Sequence, residues 1–155
     1  MDTVSLRDCE YPLELLMPLI KERLAAGQPV RFSPKGTSML PMLRQGIDSV
    51  VLSPLPEKLK KFDLPLYQRD DGSFVLHRIV KVGDTYTCIG DNQFQTEPGL
   101  RYEQMIGVVT AFYREKTRWE VSSNAYRIYC RLWHFTRFSR RACRWLKARI
   151  RGLLK

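Results

Sequence analysis

The hydrophobic repeat of this chain changes its period twice, and no other feature limits the possible fold as strongly. Residues 12–26 carry apolar side chains at helical spacing before Gly27, so we predict a short helix there, which Pro18 keeps from being long. Residues 29–121 instead contain short alternating runs separated by turn residues, which is typical of β-strands. Residues 124–154 return to steps of three and four, which predicts one further helix. The predicted fold class is therefore mainly β, a small β domain with an N-terminal and a C-terminal helix.

Turn signals divide the β region into strands and loops. The pair Asp71-Gly72 favours a hairpin with a type I′ turn, and His77 lies in the middle of the second strand of that hairpin. The proline-bearing residues 54–65 and the polar residues 90–99 favour loops. The predicted strands are residues 29–33, 47–52, the two arms of the hairpin within 66–82, then 85–89, 105–113 and 118–121.

The positive charge of the chain is concentrated at one end. The sequence has 155 residues, a length that suits one domain, and a formal net charge of +10. Residues 121–155 hold 10 Lys or Arg and no Asp or Glu, so they account for the whole excess. We therefore divide the chain into a helical segment 1–28, a β domain 29–121 and a basic amphipathic helix 122–155. The partners of that helix should be anionic.

The predicted C-terminal helix carries an apolar stripe among its arginines. Three interpretations remain open for it: the helix docks on the β domain, lies on an anionic membrane surface, or binds nucleic acid. Interspersed aromatic residues such as Trp133 and Phe138 suit a membrane interface. Nucleic acid has the least support, because no helix-turn-helix is recognisable. The stripe consists of Ile128, Leu132, Phe135, Ser139, Cys143, Leu146, Ile150 and Leu153.

Cysteine and histidine usage argues against a metal centre or a disulfide framework. The four cysteines include no Cys-x-x-Cys pair, and the two histidines, His77 and His134, have no ligand spacing with them. We predict reduced thiols, no metal and no cofactor. Acidic residues interrupt any signal peptide near the N-terminus, and no apolar run approaches about 18 residues, so no anchor is expected. These features predict a cytoplasmic protein, peripheral at the inner membrane face if the basic helix binds lipid.

Three residues of the β region could form a catalytic unit. Ser38 lies in "KGTSMLPML", where its plainest interpretation is a turn serine. His77 could be a half-buried core histidine, and Asp91 could close an ordinary turn. Together, however, a serine, an imidazole that takes its proton and a carboxylate that fixes the imidazole are the parts of a serine nucleophile.

Four motifs in order make the β region recognisable: the turn Gly-Thr-Ser-Met-Leu-Pro, a strand with His77 before Arg78, the loop Gly-Asp-Asn and a strand with Gly-Val-Val. The stretches "GTSMLPMLRQGIDSVVL", "PLYQRDDGSFVLHRIVKVGDTYTCIGDN" and "MIGVVTAFYR" resemble the type I signal peptidase and LexA-like peptidase clan over roughly residues 30–113. The resemblance implies Ser38 as nucleophile. His77, just before Arg78, holds the place where many members have a lysine base, as in the Ser–His branch of the clan. It also implies a serine endopeptidase acting on a peptide or protein substrate, with small residues before the cleaved bond.

The chain departs from the clan pattern in three respects. Gly36 replaces a serine that donates to the oxyanion in many bacterial members, so the oxyanion hole would rely on the Ser38 N–H, helped by Thr37. The acid of the site is interpreted as Asp91, with Glu97 as the second candidate. We expect no membrane anchor of the kind usual in the clan, which favours a cytosolic substrate such as a leader-bearing peptide. The alternative function is a non-catalytic relative that binds a peptide or partner and is positioned by its basic helix.

Overall fold

The computed structural model describes residues 4–5, 13–140, 142–143 and 149. The two helices are α1, Leu13–Ala25, and α2, Asn124–Phe135. The strands are β1 Val4–Ser5, β2 Val30–Phe32, β3 Ser49–Ser53, β4 Pro65–Gln68, β5 Phe74–Leu76, β6 Arg78–Val82, β7 Tyr86–Ile89, β8 Glu97–Leu100, β9 Met105–Arg114 and β10 Thr117–Glu120.

The strands form two sheets, and the predicted mainly β fold with a helix at each end is confirmed. The larger sheet has the order β1-β2-β3-β9-β4-β5, and β10 pairs with β9 as well. The smaller sheet has the order β6-β7-β8. Neighbouring strands are antiparallel except β1 and β2. The long strand β9 joins the larger sheet together, since it pairs with β3, β4 and β10.

The chain crosses from the larger sheet to the smaller one at His77. Sequence periodicity predicts one continuous strand there, but β5 ends at Leu76 and β6 begins at Arg78. Ile79 holds the start of β6 in place, because it donates to Asp63 and accepts from Phe62 through their backbones. His77 is therefore fixed where the two sheets meet.

The first helix forms as its sequence predicts and covers the larger sheet. Met17, Ile20 and Leu24 are buried against the core, at the three- and four-residue steps of one helix face. Gly27 ends the helix with a φ of +75°, which suits the left-handed conformation of a C-terminal cap. Pro18 is accommodated within the helix.

Two local predictions in the β region are wrong. The Asp71-Gly72 turn is not type I′, which needs a positive φ at both residues, because only Gly72 has one. Instead the N–H of Gly72 donates to the carbonyl of Arg69, and the side chain of Asp71 accepts from Ser73. The region 90–99 is not entirely loop either, since β8 begins at Glu97 and pairs with β7.

The C-terminal helix is interrupted at Thr136 and docks by a different face than predicted. Helix α2 ends at Phe135, with Thr136 as its C-cap, and residues 137–140, 142–143 and 149 are helical again. Tyr126 and Cys130 are buried in the core, whereas Ile128 and Leu132 of the predicted stripe are exposed. Residues 141, 144–148 and 150–154 of the predicted helix lie outside the described residues. No helix in the described part of the chain is long and apolar enough to span a membrane.

Candidate active site

The loop that carries Ser38 is anchored by the apolar residues that follow it. Met39, Met42 and Leu43 are buried, while Ser38 itself is half-buried. Gly36 has a φ of +95°, which only glycine adopts without strain, and its N–H donates to Oε1 of Gln45 at 2.7 Å. The "GTSM" motif thus places Ser38 in a turn that packs on the buried side chains of Met39, Met42 and Leu43.

The Gly90-Asp91-Asn92 segment holds the serine loop from the other side. The backbone N–H of Asn92 donates to the Ser38 carbonyl at 2.8 Å, and its side-chain amide donates to the Thr37 carbonyl at 3.1 Å. Gly90 packs so closely that a Cβ at this position would lie 2.7 Å from the Ser38 carbonyl oxygen. Glycine and asparagine therefore serve in this motif to fix the backbone of Ser38.

Asp91 is committed to a buried ion pair with Arg78 and does not lie behind the imidazole. Nε and Nη2 of Arg78 each donate to one carboxylate oxygen at 2.8 Å, and the Tyr129 hydroxyl donates to the same carboxylate at 3.0 Å. Both charged side chains are almost completely buried. The sequence-based preference for Asp91 as the third catalytic residue is therefore corrected. The carboxylate oxygens of Asp91 already accept hydrogen bonds from Arg78, the residue after His77, and from Tyr129.

The carboxylate that faces His77 belongs to Glu97, the second candidate from the sequence. Nδ1 of His77 lies 3.2 Å from Oε1 of Glu97 and 3.2 Å from the hydroxyl oxygen of Tyr67. The Tyr67 hydroxyl in turn donates its proton to Oε2 of Glu97 at 2.8 Å. The carboxylate is acceptor-only and the phenol proton is already used, so we assign the imidazole hydrogen to Nδ1. This network leaves the lone pair of the imidazole on Nε2.

Arg69 fixes Glu97 in the orientation that His77 needs. It donates to both oxygens of the carboxylate, from Nε at 2.9 Å and from Nη2. Burial opposes ionisation of Glu97, yet the hydrogen bonds from Arg69 and Tyr67 hold its pKa below the usual value. Burial lowers the pKa of His77; the charge of Glu97 works against this change and that of Arg69 works with it. The resting site therefore combines an ionised glutamate with a neutral imidazole.

Ser38 and His77 line the same cavity. His77 is 2% exposed, and its Nδ1 is engaged, so Nε2 is the nitrogen left for the cavity. No hydrogen bond joins Ser38 Oγ to His77 among the described residues, and catalytic hydrogen bonds are often long in unliganded enzymes. The cavity has a volume of about 220 Å³ and is lined by Pro34, Lys35, Gly36, Ser38, Met39, Leu43, Arg69, Phe74, Val75, Leu76, His77 and Gln93.

One donor is available at the serine for a developing negative charge. The N–H of Ser38 meets no acceptor within the part of the chain that the structure describes, whereas the N–H of Gly36 is used by Gln45. Among the described residues, no group of three or more His, Cys, Asp or Glu side chains is placed to hold a metal ion. The chemistry that these side chains can perform themselves is proton transfer at a hydroxyl nucleophile.

Tyr67 and Arg69 are site residues that the sequence gives no means of finding. Tyr67 looks like an ordinary strand residue, and Arg69 looks like a charged residue before a turn. Tyr67 pairs with Val75, two residues before His77, and the side chains of Tyr67 and Arg69 both reach the carboxylate of Glu97. Glu97 comes from β8 of the other sheet, so no local motif of the hairpin encodes this contact.

No protein-family model matches the chain, and no curated protein matches it. The resemblance to the signal peptidase and LexA-like clan therefore stays a prediction that rests on the four motifs of the sequence. The contacts of His77 with Glu97 and Tyr67 are observed independently of that resemblance, whereas a peptide substrate is implied by the resemblance alone.

Proposed function

We propose that this protein is a serine endopeptidase in which Ser38 is the nucleophile and His77 the general base. The observation that carries the proposal is the position of His77 Nδ1, 3.2 Å from both Glu97 Oε1 and the Tyr67 hydroxyl oxygen. This nitrogen is held as a donor by Tyr67 and Glu97, which leaves a basic Nε2 for the cavity that Ser38 lines. An imidazole fixed in this tautomer can accept a proton from a hydroxyl nucleophile.

The reaction follows from these roles. Ser38 Oγ attacks the carbonyl carbon of the peptide bond while His77 Nε2 takes the hydroxyl proton. The imidazolium that forms is stabilised by Glu97, and Nε2 then gives its proton to the leaving amine. A water molecule, activated by the same nitrogen, hydrolyses the acyl-enzyme and restores Ser38.

The oxyanion hole of this enzyme uses few donors. The backbone N–H of Ser38 is the principal one, and the hydroxyl of the adjacent residue Thr37 is the second donor proposed. Since the N–H of Gly36 already donates to Gln45, it is not available without a rearrangement of the loop. Each missing donor costs about 10²–10³ in rate, so slow turnover is expected.

The substrate proposed is a peptide with an apolar segment and small residues at the cleaved bond. The cavity has an apolar wall formed by Met39, Phe74 and Leu76, with the cationic Arg69 at its side. We place the enzyme in the cytoplasm as part of this proposal, with leader-bearing peptides as its substrates. Among the described cysteines, Cys88, Cys130 and Cys143 are free thiols, which is compatible with a reducing compartment.

The test is cleavage of a library of leader peptides, followed by mass spectrometry. We expect Ser38→Ala and His77→Ala each to abolish cleavage, and the double variant to be no worse, because the two act as one unit. Ser122→Ala and His134→Gln change the same residue types away from the cavity and serve as controls. Full cleavage by Ser38→Ala would exclude this nucleophile. Peptides that bind and stay uncut would favour the non-catalytic alternative.

A further inference from the structure

Helix α2 is fixed to the domain by a polar, aromatic face. Nη1 of Arg78 donates to the Tyr126 hydroxyl at 2.6 Å and contacts Cys130 Sγ at 2.9 Å. Trp133 Nε1 donates to the backbone carbonyl of Asp91 at 2.8 Å. With these groups buried, the helix cannot rotate about its axis without breaking the Arg78 network.

The opposite face of α2 presents large apolar side chains to solvent. Ile128 is 57% exposed, Leu132 60% and Phe135 85%, and Phe138 in the following helical turn is 79% exposed. Ile128, Leu132 and Phe135 recur at steps of four and three, so they form one continuous strip. We call these three residues, together with Phe138, the outer face. Isolated exposed apolar residues are ordinary, but a strip of this kind marks an interaction surface.

Positive charge accompanies the outer face. Arg127 and Arg131 are exposed and four residues apart, so they lie along one flank of the strip. Residues 121–155 contain 10 Lys or Arg and no acid, so no carboxylate of this segment offsets them. The partner of the outer face must therefore accept apolar side chains and carry negative charge.

We propose that the outer face of α2 binds the surface of an anionic lipid bilayer. Apolar side chains enter the boundary between headgroups and acyl chains, while the arginines stay among anionic headgroups. Nucleic acid would satisfy the arginines but leave Phe135 and Leu132 exposed. A second copy paired through the same face would bring Arg127 and Arg131 against their own equivalents, and like charges repel.

Membrane binding by the outer face does not depend on the catalytic proposal. If the protein is a peptidase, this binding would determine where cleavage takes place. The contact of Trp133 with the Asp91 carbonyl places α2 beside the segment whose next residue, Asn92, holds Ser38. A bilayer bound to the outer face would therefore lie behind α2, on the side away from the domain.

The test is sedimentation of the full-length protein with vesicles of phosphatidylglycerol and phosphatidylcholine in equal parts. We expect binding at low salt, little binding to phosphatidylcholine alone, and loss of binding as the screening length falls from about 10 Å at 0.1 M to about 3 Å at 1 M salt. The double variant Ile128→Gln/Leu132→Gln should bind about tenfold more weakly or worse, because it removes apolar burial. Arg127→Gln/Arg131→Gln should weaken binding about thirtyfold.

Matched controls separate the outer face from general surface effects. Leu15→Gln/Ile47→Gln changes the same residue types at exposed positions elsewhere and should bind as wild type does. Lys58→Gln/Lys81→Gln removes two exposed charges away from α2 and should also bind nearly as well. The proposal is overturned if wild type ignores anionic vesicles at low salt or if the α2 variants bind like their controls. It is also overturned if the outer face instead drives dimerisation or if the protein binds DNA in place of vesicles.

Discussion

The Arg78 guanidinium donates two hydrogen bonds of 2.8 Å to the Asp91 carboxylate in the interior of the protein. Arg78 follows His77 in the chain, and Asp91 precedes Asn92, which holds the Ser38 carbonyl. One ion pair therefore links the segment that contains His77 to the loop that contains Ser38. Tyr126 and Tyr129 of α2 extend the same network to the C-terminal helix. Asp91 thus has a structural role that fixes the position of His77 relative to Ser38.

Asp91→Asn should lower the free energy of unfolding, while the protein that remains folded should keep most of its cleavage rate. The change leaves the Arg78 charge buried without its counterion, which costs about 3–5 kcal/mol in comparable buried pairs. Urea-induced unfolding measures this loss. Asp70→Asn, at a largely exposed surface pair, is the matched control and should stay within about 0.5 kcal/mol of wild type. Equal unfolding free energies for the two variants would contradict the structural role of Asp91.

The pH dependence of cleavage should follow the fraction of His77 that is neutral. The base works only when Nε2 is unprotonated, so kcat/KM should rise with pH through the pKa of His77 and then level off. Burial lowers that pKa below its usual value of 6.5, and the charge of Arg69 acts in the same direction. The plateau should therefore already be reached at neutral pH. An inflection above the ordinary value for histidine would mean that the environment of the imidazole is described wrongly.

Glu97→Gln should lower kcat/KM while leaving the fold intact. Loss of the orienting carboxylate costs up to about 10⁴ in a Ser–His–Asp triad, and Tyr67 remains here as a second partner, so we expect about 10²–10³. Because the charge of Glu97 raises the pKa of His77, the inflection of the pH profile should also move lower. A purely structural role would not move it. Glu103→Gln, at an exposed position, is the control, and a wild-type rate in Glu97→Gln would remove this residue from the mechanism.

The sequence alone does not show which of the two acids faces His77. His77 and Arg78 are neighbours and point to opposite sides of the chain, so each takes its own carboxylate. The pattern of the sequence contains that alternation. What it lacks is the pairing of β8 with β7, where Glu97 lies opposite Cys88. Strand β8 contains a proline and a glycine, so its local sequence disfavours a strand, and only the partner strand defines it.

Elements with several buried apolar residues in a short run are the ones that the sequence predicts well. Helix α1 and strands β2, β3, β7 and β9 lie close to their predicted positions, because each contributes buried apolar side chains to the core. Helix α2 is the exception. Its apolar repeat predicts the docking face, yet the docked side consists of Tyr126, Tyr129, Cys130 and Trp133, which meet a buried arginine and carboxylate. A helix face that docks through polar partners carries no regular apolar repeat, so the sequence does not reveal it.

Gly90→Ala should disturb the nucleophile without touching any catalytic side chain. The added Cβ would lie 2.7 Å from the Ser38 carbonyl oxygen, a backbone atom that Asn92 also holds, so the serine loop must shift. Displacing a reacting group by about 1 Å can cost 10²-fold in rate, and overpacking costs about 1–3 kcal/mol of stability. Kinetics and thermal unfolding measure the two effects. Gly83→Ala, whose Cβ would lie 3.8 Å from the nearest atom, should change neither quantity appreciably.

Alanine substitutions at Tyr126 and Ile128 should reveal which face of α2 carries stability. Tyr126 is buried, receives a hydrogen bond from Arg78 and packs on Phe112, so Tyr126→Ala should cost about 3–5 kcal/mol. Ile128 is more than half exposed, so Ile128→Ala should cost less than about 0.5 kcal/mol. Urea-induced unfolding of both variants gives the comparison, and alanine favours the helix at either position. The reverse ranking would restore the sequence-based stripe as the docking face and would leave no apolar strip for a membrane.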